Sequence, residues 1–480
     1  MLPTDKPLQS ERDAAREAVK DPARDPAEKG QSKSDLFMAS FQRLVRRGAI
    51  TNLGKMLAKM HPADIAKAIV HLPAPKEKRT VFELVRGEGQ RGQVLSELDA
   101  ETIQQLLADL VPSDVAVLLK DLASDDVTYI LGVLPEEVSG EILKLMRTED
   151  STAIAELLKY PKDTAGSIMT TEFLSLSEDT MAQEAIRRLQ RATDAELVFY
   201  IYVTDKDEHL VGVLSLRQLL TIPPDTPLKN IMTRDVLSVS VDMDQEEVAR
   251  HVARYNLLAI PVVEKDNTLV GIITVDDVVD IIREEATEDM LKSAGVTEED
   301  VLASSSLRAA RLRLPWLFTN LIGSLVSGAI LWHFRYTIQE VVAVVTFIPV
   351  IAAMGGNVGL QSSTLIIRGM ATGRVEPADV RKVFFREIRT GLLLGLACGS
   401  MLTLIGWLWH QQPALGLVVG VSMLIAFLIS TSTATIMPVL LKRIGVDPAV
   451  AAGPFVTTAN DITGIGVYLA LSTALLSYLK

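Results

Sequence analysis

A carboxylate, Asp461, lies in the middle of the last apolar stretch of this 480-residue chain. An uncompensated acid at mid-bilayer costs about 2.5–3.5 kcal/mol on insertion scales, and no basic residue stands in the same stretch to neutralise it. Helical spacing places Gly453, Thr457, Asp461 and Gly464 on one face, with Asn460 adjacent. A small, hydroxylated, acidic face suits the lining of a cation path. The competing reading is an Asp hydrogen-bonded to neighbouring helices. The lining offers oxygen and no His or Cys, which disfavours a dedicated zinc or copper site. Mg2+ sheds water reluctantly and typically takes one or two carboxylates while keeping several waters. One Asp per subunit of a two-fold dimer would bring two carboxylates to the axis, which suits a largely hydrated Mg2+. Mn2+, Co2+ and Ca2+ also accept such donors.

Two more groups of residues carry chemistry. Pro349 is followed by Gly355-Gly356-Asn357-Val358-Gly359-Leu360-Gln361-Ser362-Ser363-Thr364. Glycines and amides inside an apolar segment predict an interrupted helix, tolerated at membrane depth only against protein or a water-filled cavity. The other group is acidic: ten acids and two bases, Arg283 and Lys292, lie between Asp276 and Asp300. Asp277, Asp280, Glu284 and Glu288 share one helical face, with Glu285 and Asp289 beside it. Like charges at this spacing destabilise a helix by roughly 0.2–0.5 kcal/mol a pair. The face is either simply solvated or a divalent-cation sensor, and it leads straight into the first apolar segment.

The elements that must position these groups fall into two halves. The chain carries a net charge of −12, but residues 312–480 are at +5 and residues 1–311 at −17. The acidic half makes nucleic acid an unexpected partner. Five apolar segments, roughly 314–334, 341–367, 388–409, 414–441 and 449–479, match the ~20 residues a bilayer crossing needs. Arg308, Arg311 and Arg313, then Arg368, Arg374, Arg381, Lys382 and Arg386, then Lys442 and Arg443 fall on the same side as the N-terminal half. That predicts a multi-pass protein of the plasma (inner) membrane with cytosolic N-terminal domains and its C-terminus outside. Gly391, Gly395 and Gly399 form a small-residue ladder, as do Gly323 with Ser327 and Ser324 with Gly328; these suit close helix packing. Cys398 is the sole cysteine, so no internal disulfide is expected. The polar N-terminus predicts no cleaved secretory signal.

The soluble half opens with a charged segment, 1–34, expected to be disordered. Pro62-Ala63-Asp64, Pro112-Ser113-Asp114 and Pro135-Glu136-Glu137 recur as helix starts over 35–160. Pro and the acids both suit a helix N-terminus, and short stacked helices predict a superhelix. A second repeat pairs Met169-Thr170-Thr171-Glu172-Phe173-Leu174-Ser175-Leu176-Ser177 with Met232-Thr233-Arg234-Asp235-Val236-Leu237-Ser238-Val239-Ser240. Each is followed by a helix and two strands, Phe199–Val203 with Gly212–Ser215 and Ala259–Val263 with Gly271–Thr274. This tandem resembles a pair of CBS domains over 161–282 (about 161–222 and 223–282), modules that often bind adenine nucleotides. The resemblance implies ATP as a possible regulator, at Tyr200, Ser215, Arg217, Thr274 and Asp277. The first unit has Gln218 where the second has Asp277.

From about residue 36 to the end, the order of parts resembles the MgtE family of magnesium channels. The expected architecture is multidomain: an all-α superhelical N-domain, an α/β tandem CBS pair, an acidic connecting helix over 283–311 and an α-helical five-span domain over 312–480. The Gly355-Gly356-Asn357…Gln361-Ser362 and Thr457…Asn460-Asp461…Thr463-Gly464 motifs carry the likeness. It implies a homodimer with one pore, whose ion is held by Asp461 with Asn357, Thr457 and Asn460 nearby. It also implies closure by cytosolic Mg2+ sensed at Asp125, Asp244, Glu246, Asp277, Asp280, Glu285, Glu288, Asp289 and Asp447. Asn256 departs from the acidic pattern that the likeness implies. The alternative is a CBS-regulated secondary transporter of another divalent cation (Mn2+ or Co2+) or of a different solute. No H-E-x-x-H and no P-loop occurs, so a zinc protease or ATP-driven pump is not expected.

Overall fold

The computed structural model describes residues 33–191, 199–297, 300, 305–375, 379–451 and 453–479. The expected tail at 1–34 lies outside the described residues except for its last two positions. The chain divides into two compact units between Lys159 and Tyr160.

In the first unit, ten helices run from α1 (Lys33–Arg46) to α10 (Thr148–Leu157) among the described residues. α3 (Pro62–Val70) and α7 (Pro112–Leu119) start on their prolines, and Pro135 caps α9 (Glu136–Leu145). The missing N–H of Pro costs nothing there, because a first-turn N–H has no partner in its helix. Helices pack on their second neighbours: α3 on α5 (Glu88–Ser96), α5 on α7, α7 on α9, and α8 (Ser124–Gly132) on α10. That gives the two rows of a solenoid around one core containing Phe41, Ile65, Ile69, Ile103 and Ile130.

The second unit begins with two three-stranded sheets. β1 (Ser175–Ser177) pairs in parallel with β2 (Tyr200–Thr204), which pairs antiparallel with β3 (Leu210–Ser215). β4 (Val239–Ser240), β5 (Ala259–Val263) and β6 (Leu269–Thr274) repeat that order. Helix α11 (Ala182–Arg191) follows β1, α12 (Leu216–Leu220) follows β3, and α13 (Gln245–Tyr255) follows β4. The repeated Met-Thr pairs cross between the repeats. Thr170 and Ile272 exchange backbone hydrogen bonds at 2.8 and 3.0 Å, as Thr233 and Val213 do at 2.9 and 3.0 Å. Met169 lies over Gly271, and Met232 over Gly212, so closely that a Cβ would sit 2.6 or 2.4 Å from sulfur. Each repeat thus lends its opening residues to the other's sheet, and neither packs fully alone. Asn256 ends α13 in the left-handed conformation, φ 51°. Apart from Gly, Asn takes that position most readily.

Helix α14 (Val275–Ser293) carries the acids, and the apolar half follows as α15 (Ser306–His333), α16 (Arg335–Glu340), α17 (Ile348–Ala371), α18 (Val380–His410), α19 (Pro413–Arg443) and α20 (Pro454–Ala474). Among the described residues, four segments are long and apolar enough to cross a membrane: Ser306–His333, Val342–Ala371, Val380–His410 and Pro413–Arg443. The fifth expected span folds as α20, 21 residues long, but is not among those four. α20 packs against α15, α17 and α19. The glycine ladder on α18 meets α19: a Cβ at Gly399 would lie 2.6 Å from the Gly420 carbonyl oxygen, and one at Gly391 would lie 2.7 Å from Thr431 Oγ1. Gly323 of α15 gives way to Thr458 of α20, whereas Ser324 and Gly328 face outward.

The expected interruption at the Gly-Gly-Asn motif is not there. α17 runs unbroken from Ile348 to Ala371, and the irregular stretch precedes it as a 3-10 turn over Val342–Phe347. The backbone freed in that turn is satisfied by Tyr468, whose hydroxyl donates to the Val344 carbonyl at 2.9 Å. The glycines serve close approach instead of a break.

Candidate ion pathway and cation sensor

Two helices build the candidate pathway. On α17, Gly355 is a node: Ser430 Oγ from α19 donates to its carbonyl oxygen at 2.7 Å, and Asn460 Nδ2 from α20 does so at 3.4 Å. Gly359, one turn on, lets α20 approach, and Gly356 abuts Thr457. Around this contact Asn357 and Thr457 are exposed and Asp461 is half-buried. Among the described residues Asp461 makes no hydrogen bond or ion pair, so the reading of it as an Asp bonded to neighbouring helices finds no partner. Asn460 departs from the expected set. It is 2% exposed, and its amide is turned toward α17 rather than toward the face of Asp461. A step of one residue rotates a side chain about 100° around a helix, enough to take Asn460 off that face. Gly464 likewise turns inward, toward Ile351.

Sequence reasoning also missed Glu387. Hydropathy starts the third span at residue 388, but α18 begins at Val380 and buries this acid at 4% exposure. Ser362 Oγ donates to it at 3.0 Å, and the Arg386 guanidinium lies at 3.2 Å.

The acids expected to sense a cation, Asp125 apart, lie on α14 or beside it. Gln245 Nε2 donates to Glu285 Oε1 at 2.7 Å, tying α13 to α14. The charge of Glu246 is felt at Glu285 and that of Asp289 at Glu246, while Asp447, before α20, acts on Asp289. Asp244, Glu246, Glu285, Glu288, Asp289 and Asp447 therefore share one neighbourhood. Asp277 and Asp280 sit nearer the start of α14, Asp277 bonded to the Thr274 hydroxyl at 2.6 Å and Asp280 exposed. Asp125 occupies the first turn of α8 in the first unit. Burial pushes the carboxyls of Glu246, Asp277, Glu285 and Asp289 upward, with like charges adding to it. Burial outweighs the positive charge that already reaches these carboxylates, such as Arg250 at 4.0 Å from Glu246, and an all-oxygen donor set fits a hard divalent cation.

Lys292 supplies part of that charge, and sequence reasoning counted it only as a base. Its Nζ lies 2.5 Å from Glu288 Oε1 and 2.6 Å from Asp447 Oδ2. Burial works against the ammonium, but these two bonds raise its pKa regardless. The Glu288 to Lys292 spacing of i, i+4 was the available signal. Just beyond, α14 ends against the start of α20: a Cβ on Gly453 would sit 2.6 Å from the Ser293 carbonyl oxygen. Gly453→Ala is expected to push this contact apart and to speed proteolysis between residues 290 and 297. Unchanged cleavage would show that the contact absorbs a methyl group.

Glu285 makes the acidic cluster around α14 pH-dependent. Its carboxyl is pushed from the ordinary 4.5 to about 7, first by burial, with the Gln245 bond opposing and Glu288, Glu246 and Asp244 adding to it. A raised value means that the docked arrangement binds the proton more tightly. The stabilisation is complete below about 4.5 and is lost as pH rises through about 7. With divalent ions chelated, the protection of α13 and α14 against hydrogen exchange, taken relative to the intrinsic rate at each pH, is expected to be higher at pH 6 than at pH 8. Glu285→Gln should flatten that difference.

In the CBS pair, the Thr274–Asp277 bond has a counterpart in a capping box. Ser215 Oγ accepts from the Gln218 N–H at 3.2 Å, and Gln218 Oε1 accepts from the Ser215 N–H at 2.9 Å. Tyr200 is half-buried at the start of β2, and Arg217 is exposed on α12.

Comparison with known proteins follows this division of the chain. Family models for the MgtE intracellular N domain, the CBS domain and the MgtE divalent cation transporter match residues 60–163, 165–225 with 228–284, and 348–471. The magnesium transporter MgtE of Thermus thermophilus is 41% identical over 324 residues, which covers 66% of this chain and 71% of that protein. The chain belongs to the MgtE family. The MgtE of Bacillus subtilis is 38% identical over 316 residues, covering 66% of this chain and 70% of its own length. A crystal structure of the cytosolic domain of the Mg2+ channel MgtE in complex with ATP is 34% identical. It covers 51% of this chain and 99% of that one, with a TM-score of 0.47. The MgtE transporter match contains α17 to α19 and most of α20, and with them Asn357, Thr457 and Asp461.

Proposed function

We propose that this protein conducts Mg2+ across a cell membrane and shuts as Mg2+ accumulates on the side of its acidic domains. The observation that carries the pathway is the half-buried Asp461, which has no hydrogen bond or ion pair among the described residues and lies in the family-matched helix pair. In this reading two copies assemble about an axis, and their exposed Asn357 and Thr457 and half-buried Asp461 line one pore. Five helices cross, the N-terminal domains are cytosolic and the C-terminus is outside. Mg2+ is the substrate, held through its own waters because one carboxylate per subunit cannot replace the hydration shell.

Closure follows from charge. Two carboxylates about 5 Å apart repel by roughly 3 kcal/mol at an effective dielectric of about 20. Asp244, Glu246, Glu285, Glu288, Asp289 and Asp447 would hold regulatory Mg2+, which supplies the charge that lets them stay together. Without it, their repulsion favours withdrawal of α14 from the start of α20. Because Gly453 touches Ser293, that movement reaches the pore helix directly. Asp277 and Asp280 extend the acidic surface of α14 in this reading, and ATP at Thr274 and Asp277 of the second CBS unit would be a further regulator.

The test is Mg2+ flux into liposomes with Mg2+ varied on the side of the acidic domains. Flux suppressed by Mg2+ on that side supports pore and sensor together. Movement of Mn2+ or Co2+ alone, or flux tied to a proton or sodium gradient, overturns the assignment.

A further inference from the structure

We propose that Lys292 is an internal competitor of the regulatory divalent cation and sets the concentration at which the sensor responds. The inference rests on the sensor reading above. The Lys292 ammonium bridges Glu288 on its own helix, at 2.5 Å, and Asp447 on the segment before α20, at 2.6 Å. Those two carboxylates belong to the neighbourhood assigned to the divalent ion, so one tethered positive charge already sits between the parts the ion would draw together. Arg250 lies 4.0 Å from Glu246 but pairs with that one acid only, while Arg368 and Lys442, felt by Asp289 and Glu246 respectively, lie within ion-pair distance of no sensor acid among the described residues. Lys292 alone makes the bridge among those residues.

Two consequences follow from one charge doing two jobs. Without divalent ions, Lys292 holds α14 against the segment before α20, so the resting state is only partly released. With divalent ions present, its bonds to Glu288 and Asp447 must be given up, so more ion is needed. Removing the charge should therefore move two readouts in opposite senses. Docking in chelator weakens, while the ion concentration that restores docking falls. Loss of a purely structural contact would weaken docking at every concentration and raise the midpoint.

The experiment measures protease protection of the α14 segment in the full-length protein, with MgCl2 as the titrant, for wild type, Lys292→Gln and Lys292→Arg. Two half-exposed ion pairs in competition with one ion set the expected fall in midpoint for Lys292→Gln at about fivefold. Faster cleavage in chelator should accompany it, and Lys292→Arg, which keeps the charge, should stay near wild type. A midpoint unchanged or raised in Lys292→Gln overturns the competitor role, while a normal wild-type titration leaves the sensor standing. A flat wild-type titration overturns the sensor and the competitor together.

Discussion

Replacing Asp461 with alanine is expected to reduce Mg2+ flux at least tenfold while leaving the protein folded. A divalent ion about 6 Å from one carboxylate is attracted by about 1.4 kcal/mol at the dielectric of water and about 5.5 kcal/mol at a dielectric of 20. The lower figure alone is about a factor of ten, and in a two-fold assembly both carboxylates go at once. Folding should survive, because Asp461 makes no hydrogen bond or ion pair among the described residues and its removal strands no partner. Asp461→Asn separates the two roles of the side chain. It keeps the shape and the oxygen but not the charge, so its flux should fall nearly as far as that of the alanine variant. Both variants should keep the wild-type melting temperature in detergent. Intact flux in Asp461→Ala would remove this residue from the pathway. Lost flux with a large fall in melting temperature would instead make it a packing residue.

The parts of this molecule that the sequence makes legible are those built on periodicity and repetition. The doubled Met-Thr segments locate the CBS pair, and the spacing of Asp277, Asp280, Glu284 and Glu288 locates one long helix. What periodicity cannot say is which neighbour a residue meets. Gly355, Gly356 and Gly359 signal either a broken helix or a close approach, and only the arrival of Ser430 and Asn460 decides for the second. Asn460 stands next to Asp461 in sequence and so looks like a ligand, yet its burial against Gly355 turns it into a fastener between helices. Glu387 escapes because hydropathy marks where a span turns apolar, whereas the helix itself continues for two more turns. Lys292 escapes because its second partner, Asp447, is 155 residues away. For the glycines, Asn460 and Lys292 the deciding contact is long-range, and local spacing does not name the partner.

That same close approach makes Gly359→Ala a strongly damaging substitution in the membrane half. A Cβ there would lie 2.1 Å from Asn460 Nδ2, 2.7 Å from Ser430 Oγ and 2.8 Å from Val456 Cγ1. Asn460 and Ser430 cannot simply swing aside, because both donate to the Gly355 carbonyl in a buried setting. Overpacking costs about 1–3 kcal/mol, and a buried polar group left unpaired costs about 1–3 kcal/mol more. The variant should lose at least ~2 kcal/mol of stability and, by prising α20 from α17, should lose flux as well. Gly355→Ala is the control within the same motif: its Cβ would meet nothing within 4 Å, and Ala is the better helix former by about 1 kcal/mol. Thermal melting in detergent should therefore place Gly355→Ala at or above wild type and Gly359→Ala well below it. Equal melting temperatures for the two would mean that α17 and α20 do not meet at Gly359. The Asn357, Thr457 and Asp461 face would then lose the contact that aligns it.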